Sequence, residues 1–219
     1  MSTQLGLRER KKQRTRELLS ETARSLFTGH GFEQVSVADI AREAEVSEQT
    51  VFNYFPSKED LVYSGLEAFE EQLLAAIRER PAGRTVIAAF GDFILQPRGL
   101  FAAEDDAAAS ELIAVTRMIA ASPALLAREQ LIFARYTDAL AQLIAEETGA
   151  RSGDLRPRVV ADALIGVHRA LIAHVRERLE AGVTDRRRLA RDVRRRGDDA
   201  LALLADGLGS YAAKRQKGD

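Results

Sequence analysis

The sequence predicts an all-α protein in which a three-helix head carrying a helix-turn-helix precedes a larger helical domain. Three observations predict it. Apolar residues recur at spacings of three and four from Leu18 to Leu208, and no strand-like alternation rises above that pattern. Good N-caps and glycine or proline stops divide the pattern into helical lengths. Residues 36–61 read as two short helices joined by a tight turn, with a third helix starting behind them.

From about Arg8 the first helix carries Leu18, Leu19, Thr22, Ala23, Leu26 and Phe27 on one buried face, and Gly29-His30-Gly31 stops it. His30 reads as a surface residue of that stop. Phe32 and Val35 lead to Ser36, which with Asp39 makes a capping-box-like start for a helix burying Ile40, Ala41 and Ala44. Glu45-Val46 leaves room only for a turn before Ser47, the N-cap of the next helix. In that helix Val51 and Phe55 stand four residues apart and point inward. At 100° per residue, Gln49, Phe52 and Asn53 face the other way, with Thr50 and Tyr54 on the flank.

Such a face suits the major groove, where amides and hydroxyls pair with base edges. Phe52 fits a thymine methyl or a sugar, and the Tyr54 hydroxyl fits a phosphate. Pro56 ends the helix and Ser57 caps the following one, whose first turn holds Lys58 where an ammonium and a helix N-terminus together favour a phosphate. Ahead of all this, Arg8, Arg10, Lys11, Lys12, Arg14 and Arg16 face only one acid, Glu9. Because the whole chain has a formal net charge of -1, any DNA binding must be local to such an arm.

Val37-Ala-Asp-Ile-Ala-Arg-Glu-Ala44, Val46-Ser47 and the run from Thr50 through Tyr54 and Lys58 to Leu61 resemble the DNA-binding domain of the TetR family of bacterial transcriptional regulators. The resemblance implies a helix-turn-helix domain over 8–56 and an effector-binding, dimerising helical domain over 57–213. It implies Ser36 at a phosphate, with Ser47, Gln49, Thr50, Phe52 and Asn53 at the groove. Tyr54 and Lys58 would clamp the backbone, and Arg10, Arg14 and Val37 complete the expected DNA-binding set. Two positions depart from the family pattern. Glu45 stands where glycine often supplies a left-handed turn, at a cost of about 1 kcal/mol. Glu48 puts a carboxylate on the recognition helix.

Behind the head, a fourth helix is expected from Ser57 to about Arg80, through Val62, Leu66, Phe69, Leu73 and Ile77, with Pro81-Ala-Gly83 as a hinge. Helices follow over 84–96, from the acidic stretch 101–106 to Ile119, from Pro123 to Gly149, from behind the polar loop 151–154 through Val160 to Gly182, and from near Thr184 onward. A helix-turn-helix head needs a dimer to read two half-sites, and in the TetR family the last two long helices form a bundle with a second subunit. A homodimer on a double-stranded DNA operator is the expected assembly. The interleaved Asp185, Asp192, Asp198 and Asp199 make the arginine run of the last helix a solvated, salt-bridged face.

The resemblance also implies a pocket among the middle helices for an unidentified small-molecule effector. Phe90, Phe93, Met118, Phe133 and Tyr136 are candidates for its wall, and Arg117, Tyr136 and His168 for orienting a polar group. A lone histidine beside an apolar stripe, as His168 is, is more often a core or interface residue than a ligand contact. With no cysteine, no transmembrane run and no signal peptide, a cytoplasmic protein without membrane association is expected. The histidines His30, His168 and His174 form no metal motif, and no nucleophile elbow or phosphate loop occurs, so neither cofactor nor metal is expected. Gly207-Leu-Gly-Ser-Tyr-Ala212 matches a dinucleotide pattern only formally. A DNA-bound adaptor with a protein partner, and a helical-bundle enzyme, are the competing readings.

Overall fold

The computed structural model describes residues 6–102, 105–183 and 185–208, leaving aside the side chains of Leu7, Glu67, Leu100, Ala108 and Leu208. Every regular element among them is helical. The helices are α1 Leu7–His30, α2 Val37–Glu43, α3 Glu48–Tyr54, α4 Lys58–Val62, α5 Leu66–Arg78, α6 Val86–Ile94, α7 Asp106–Ala121, α8 Pro123–Thr148, α9 Arg156–Glu180 and α10 Arg186–Leu208. A 3-10 turn, Gly99–Ala102, lies between α6 and α7. The expected N-cap Thr184 and the glycine pattern beyond Leu208 lie outside the described residues. Among the described residues no single helix is long and apolar enough to cross a membrane.

Two compact units share the chain. The first runs to Leu66 and also takes in Ala114–Arg128, whereas the second holds Glu67–Ile113 and the chain from Glu129 onward. This division differs from the expected one after residue 56. The α4 helix packs on α1 and belongs with the head, and so do the end of α7 and the start of α8. Local sequence gives no sign of the latter, because the contacts join residues more than sixty positions apart. The Tyr63 hydroxyl donates to the Leu125 carbonyl at 2.9 Å, Arg128 Nε donates to Asp60 at 2.7 Å, and the Ser122 hydroxyl donates to Glu33 at 2.8 Å.

The expected helix from Ser57 to Arg80 is broken. A turn at Tyr63-Ser64-Gly65 separates α4 from α5, with the Leu66 N–H bonded to the Tyr63 carbonyl at 3.0 Å. Burial of Tyr63 with its hydroxyl on Leu125 accompanies a turn that apolar spacing alone does not reveal.

Within the first unit, Leu19, Ala23 and Phe27 of α1 pack into one core with Phe32, Val35, Ile40, Ala41, Val51, Phe55 and Leu61. Leu18, expected on that face, is 46% exposed, because the buried stripe follows the four-residue spacing 19, 23, 27. The turn between α2 and α3 is a Schellman motif. Val46 N–H reaches the Ala41 carbonyl at 2.9 Å and Glu45 N–H reaches Arg42 at 3.2 Å, with Glu45 at φ 54°. The left-handed residue is therefore a glutamate, as the sequence led us to expect. Glu45→Gly is expected to raise the stability of the head by roughly 0.5 to 1 kcal/mol, since relief of the left-handed cost outweighs glycine's extra chain entropy. A thermal-denaturation midpoint unchanged or lowered in that variant would sink the strain argument.

In the second unit, α10 lies against α9 and α6. The approach to α6 is close: a Cβ on Gly197 would stand 2.4 Å from the Leu95 side chain. Tyr136, Leu140, Ile144 and Leu164 are fully buried with Phe90, Leu73 and Ile77.

Candidate nucleic-acid interface

Both helices of the helix-turn-helix start on capped ends that hold them at fixed angles. At Ser36 the hydroxyl accepts from Asp39 N–H at 3.1 Å, while Asp39 Oδ2 accepts from the Ser36 N–H at 2.9 Å and its hydroxyl at 2.6 Å. These bonds, with that from Arg42 at 2.5 Å, hold the Asp39 carboxyl down at about 2. The Ser36 hydroxyl is thus committed to its own helix. Val37, the first residue of α2, is half-buried.

At Ser47 the hydroxyl accepts from Thr50 N–H at 3.1 Å and pairs with the Thr50 hydroxyl at 2.8 Å. Gln49, Phe52 and Asn53 are exposed, and Val51 and Phe55 are buried. The Gln49 amide donates to Asn53 Oδ1 at 3.2 Å, one turn apart, which leaves the Gln49 oxygen and the Asn53 amino group unengaged on the same face. One acceptor and one donor side by side on a helix match the edge of an adenine. Beside them an open groove of about 700 Å³ is lined by Arg8, Glu9, Lys11, Lys12, Thr15, Asn53 and Tyr54.

That groove revises the arm. Arg8, Lys12 and Thr15 share one face of α1, and Arg10 and Arg14 fall on the opposite one, so the expected pair does not line it. Arg16 is drawn into the fold: its guanidinium donates to the Tyr54 carbonyl at 2.9 Å and lies 4.5 Å over the Phe55 ring. Lys58 turns inward as well. Its ammonium donates to the Phe32 and Val35 carbonyls at 2.9 and 3.1 Å and sits 4.1 Å over the Phe32 ring. Tyr54 stays half-buried at the edge of the basic groove.

The residues proposed for an effector pocket separate into two sets. Phe93, Phe133, Tyr136 and His168 come together in the second unit, around Phe69. The Phe69 ring stacks on His168 at 5.2 Å and on Tyr136 at 5.9 Å, and meets Phe93 edge-on at 5.3 Å. Phe133 meets the edges of Tyr136 and His168 at 6.1 and 5.7 Å. Phe90 is fully buried core. Arg117, exposed, and Met118, half-buried, fall in the stretch of α7 that belongs to the first unit.

Sequence reading missed two members of the cluster. Phe69 looked like one residue of an apolar stripe, and Arg98 lies just past the end of the helix expected over 84–96. The Arg98 guanidinium lies 3.5 Å over the Phe93 ring and 5.8 Å from Phe69. Burial, then the charge of Arg98, pushes the His168 imidazole down to about 4, so it is neutral at pH 7.

On α10 the arginine run is salt-bridged as expected: Asp192 binds Arg195 at 2.6 Å, Arg196 at 3.1 Å and His174 at 2.7 Å. These hydrogen bonds, that from Arg195 foremost, hold the Asp192 carboxyl well below the usual range.

A family profile described as bacterial regulatory proteins of the tetR family matches residues 19–63, and one described as the MftR C-terminal domain matches residues 98–209. The transcriptional regulator TcmR of Streptomyces glaucescens is 33% identical over 169 residues, covering 76% of this chain and 75% of its own. MftR of Mycobacterium tuberculosis, assigned to the regulation of mycofactocin biosynthesis, is 27% identical over 172 residues, covering 75% of this chain and 81% of its own. Among solved structures, the SmeT–triclosan complex superimposes with a TM-score of 0.52 at 16% identity, over 88% of this chain and 90% of that one. A TetR-family regulator from Mesorhizobium loti gives 0.50 at 18% identity, over 88% and 97%. Such likenesses carry the fold, and the sequence matches carry the descent: the chain belongs to the TetR family of bacterial transcriptional regulators, DNA-binding proteins and not enzymes.

Proposed function

We propose that the protein is a repressor that holds a palindromic operator as a homodimer and leaves it when a small-molecule effector binds in the second unit. The observation that carries the operator reading is the exposed Gln49–Asn53 amide pair beside the basic groove. Base edges are read by Gln49 and Asn53, with Phe52 and the Ser47–Thr50 hydroxyls around them. Phosphates are met by Tyr54 and by Arg8, Lys11 and Lys12 on the groove side of α1. Arg10 and Arg14 reach only phosphates further along the duplex.

Dimerisation uses α9 and α10. On α9 an exposed stripe runs through Val159, Asp162, Gly166, Ala170 and Ala173, small enough for a second copy's helix to approach closely, and on α10 Leu203 is 76% exposed. Effector binding changes the separation of the two heads so that they no longer fit adjacent major grooves. A coupling of about 1 to 3 kcal/mol suffices for a roughly 5- to 150-fold loss of operator affinity.

The test is selection of genomic fragments by the purified protein, followed by footprinting with two variants. Gln49→Ala is expected to relax base preference at one symmetric position by about 1 to 3 kcal/mol, and Tyr54→Phe to weaken all sites evenly. Binding that is salt-dependent but selects no sequence would replace the repressor reading with a DNA-bound adaptor.

A further inference from the structure

The aromatic cluster of the second unit contains two polar atoms that no described residue satisfies. Arg98 Nη1 and His168 Nδ1 are both buried and have no hydrogen-bond partner among the described residues. Arg98 is held by one bond, from Nη2 to Gln96 Oε1 at 3.1 Å. A buried group left unpaired costs about 1 to 3 kcal/mol, and more for a charged one, so two such atoms at one ring cluster are not a packing accident to be expected of a plain core.

The surroundings state what would satisfy them. Arg98 offers only donors and a fixed positive charge, so its partner is an acceptor, best a negative one. His168, neutral, can place its proton on Nδ1 and donate as well. Around both atoms lie the faces and edges of Phe69, Phe93, Phe133 and Tyr136, which favour a flat ring over a flexible chain. Phe69 is half-buried and is the ring stacked on His168 and Tyr136. A planar ligand can take that place and offer those two side chains the same contact.

We propose, resting on the effector reading above, that this cluster is the effector site and that its effector is an aromatic acid: the carboxylate bridges Arg98 Nη1 and His168 Nδ1, and the ring replaces Phe69 between His168 and Tyr136. Displacement of Phe69 moves the side of α5 it stands on, which is how the site acts on the chain leading out of the head.

The test titrates the full-length protein by calorimetry with benzoate, 1-naphthoate and 9-anthroate, each against its uncharged alcohol. At least one acid is expected to bind ten times tighter than its alcohol, with the His168 ring resonances shifting on binding. Arg98→Gln should lower the acid's affinity at least tenfold and the alcohol's less than twofold. Arg98→Lys, which keeps the charge without the fork, should retain part of the preference. His168→Gln gives a second, independent loss. If no acid outbinds its alcohol, or if Arg98→Gln leaves the acid unaffected, the assignment is overturned. Operator affinity measured in the same samples separates the two readings. An acid that binds through Arg98 without weakening operator binding upholds the site and removes the release mechanism. Release by the alcohols alone keeps the mechanism and removes the acid.

Discussion

Replacing Arg80 by alanine is expected to destabilise the second unit by about 3 to 5 kcal/mol, the cost of removing one partner of a buried ion pair. Arg80 is 3% exposed. Its Nη1 donates to the Ile77 carbonyl at 2.6 Å and to Glu147 Oε1 at 3.0 Å, its Nε donates to the Arg84 carbonyl at 3.1 Å, and its Nη2 reaches Glu147 Oε2 at 2.6 Å. One guanidinium therefore closes the end of α5, holds the loop that follows it and ties both to the last turn of α8. Alanine leaves two carbonyls and a carboxylate without their donor. In that variant Glu147, with a side chain 23% exposed, can turn to water, so the loss falls mainly on the two carbonyls; Glu147→Ala should cost a similar amount, because it leaves the buried Arg80 guanidinium without its counter-charge. Urea denaturation followed by circular dichroism reads both, and Arg80→Lys should recover only part of the loss because an ammonium lacks the fork. A cost below about 1 kcal/mol for Arg80→Ala would mean that water replaces these bonds without penalty.

Acidification should unfold the protein earlier than its carboxylates require, and His168 is the reason. Its folded value is lowered from 6.5 to about 4, so the folded chain resists a proton that the unfolded chain accepts. The stabilising difference is fully present above pH 6.5 and is lost as the pH falls towards 4, to a total on the order of 3 kcal/mol. Asp39 and Asp154, held near 2 by their hydrogen-bond partners, titrate lower still and do not mask it. Urea midpoints at pH 7 and pH 4.5 should differ more in the native protein than in His168→Gln. Equal pH dependence in the two would show that the imidazole is not the titrating group. A bound carboxylate should flatten the same dependence, because it favours the charged imidazole that burial disfavours.

The residues that cap and stop helices could be read in order along the chain because their chemistry is local. Ser36, Ser47 and Ser57 each bond a backbone N–H three residues away, and Gly31 and Gly149 adopt positive φ where helices end. Outward placement of Gln49, Phe52 and Asn53 follows from helical angle once Val51 and Phe55 are buried. Even the left-handed glutamate at residue 45 was visible, since the family pattern that the chain resembles often has glycine there.

Roles that depend on partners far along the chain were not visible. A lysine in a first turn reads the same whether it faces a phosphate or, like Lys58, two carbonyls and a ring of its own head. A six-cation arm does not disclose that Arg8, Lys11 and Lys12 line the groove while Arg16 is spent on Tyr54 and Phe55. Arg98 and Phe69 carry no local mark of standing beside His168. The sequence by itself determined the helical class, the capped helix ends and the outward face of α3, because those rest on backbone bonds and a fixed angular period within a few residues. Only the tertiary structure decided which charges stay in solvent and which rings gather beside the Arg98 guanidinium, because burial and pairing are set by residues that meet across tens of positions, and no periodicity encodes that meeting.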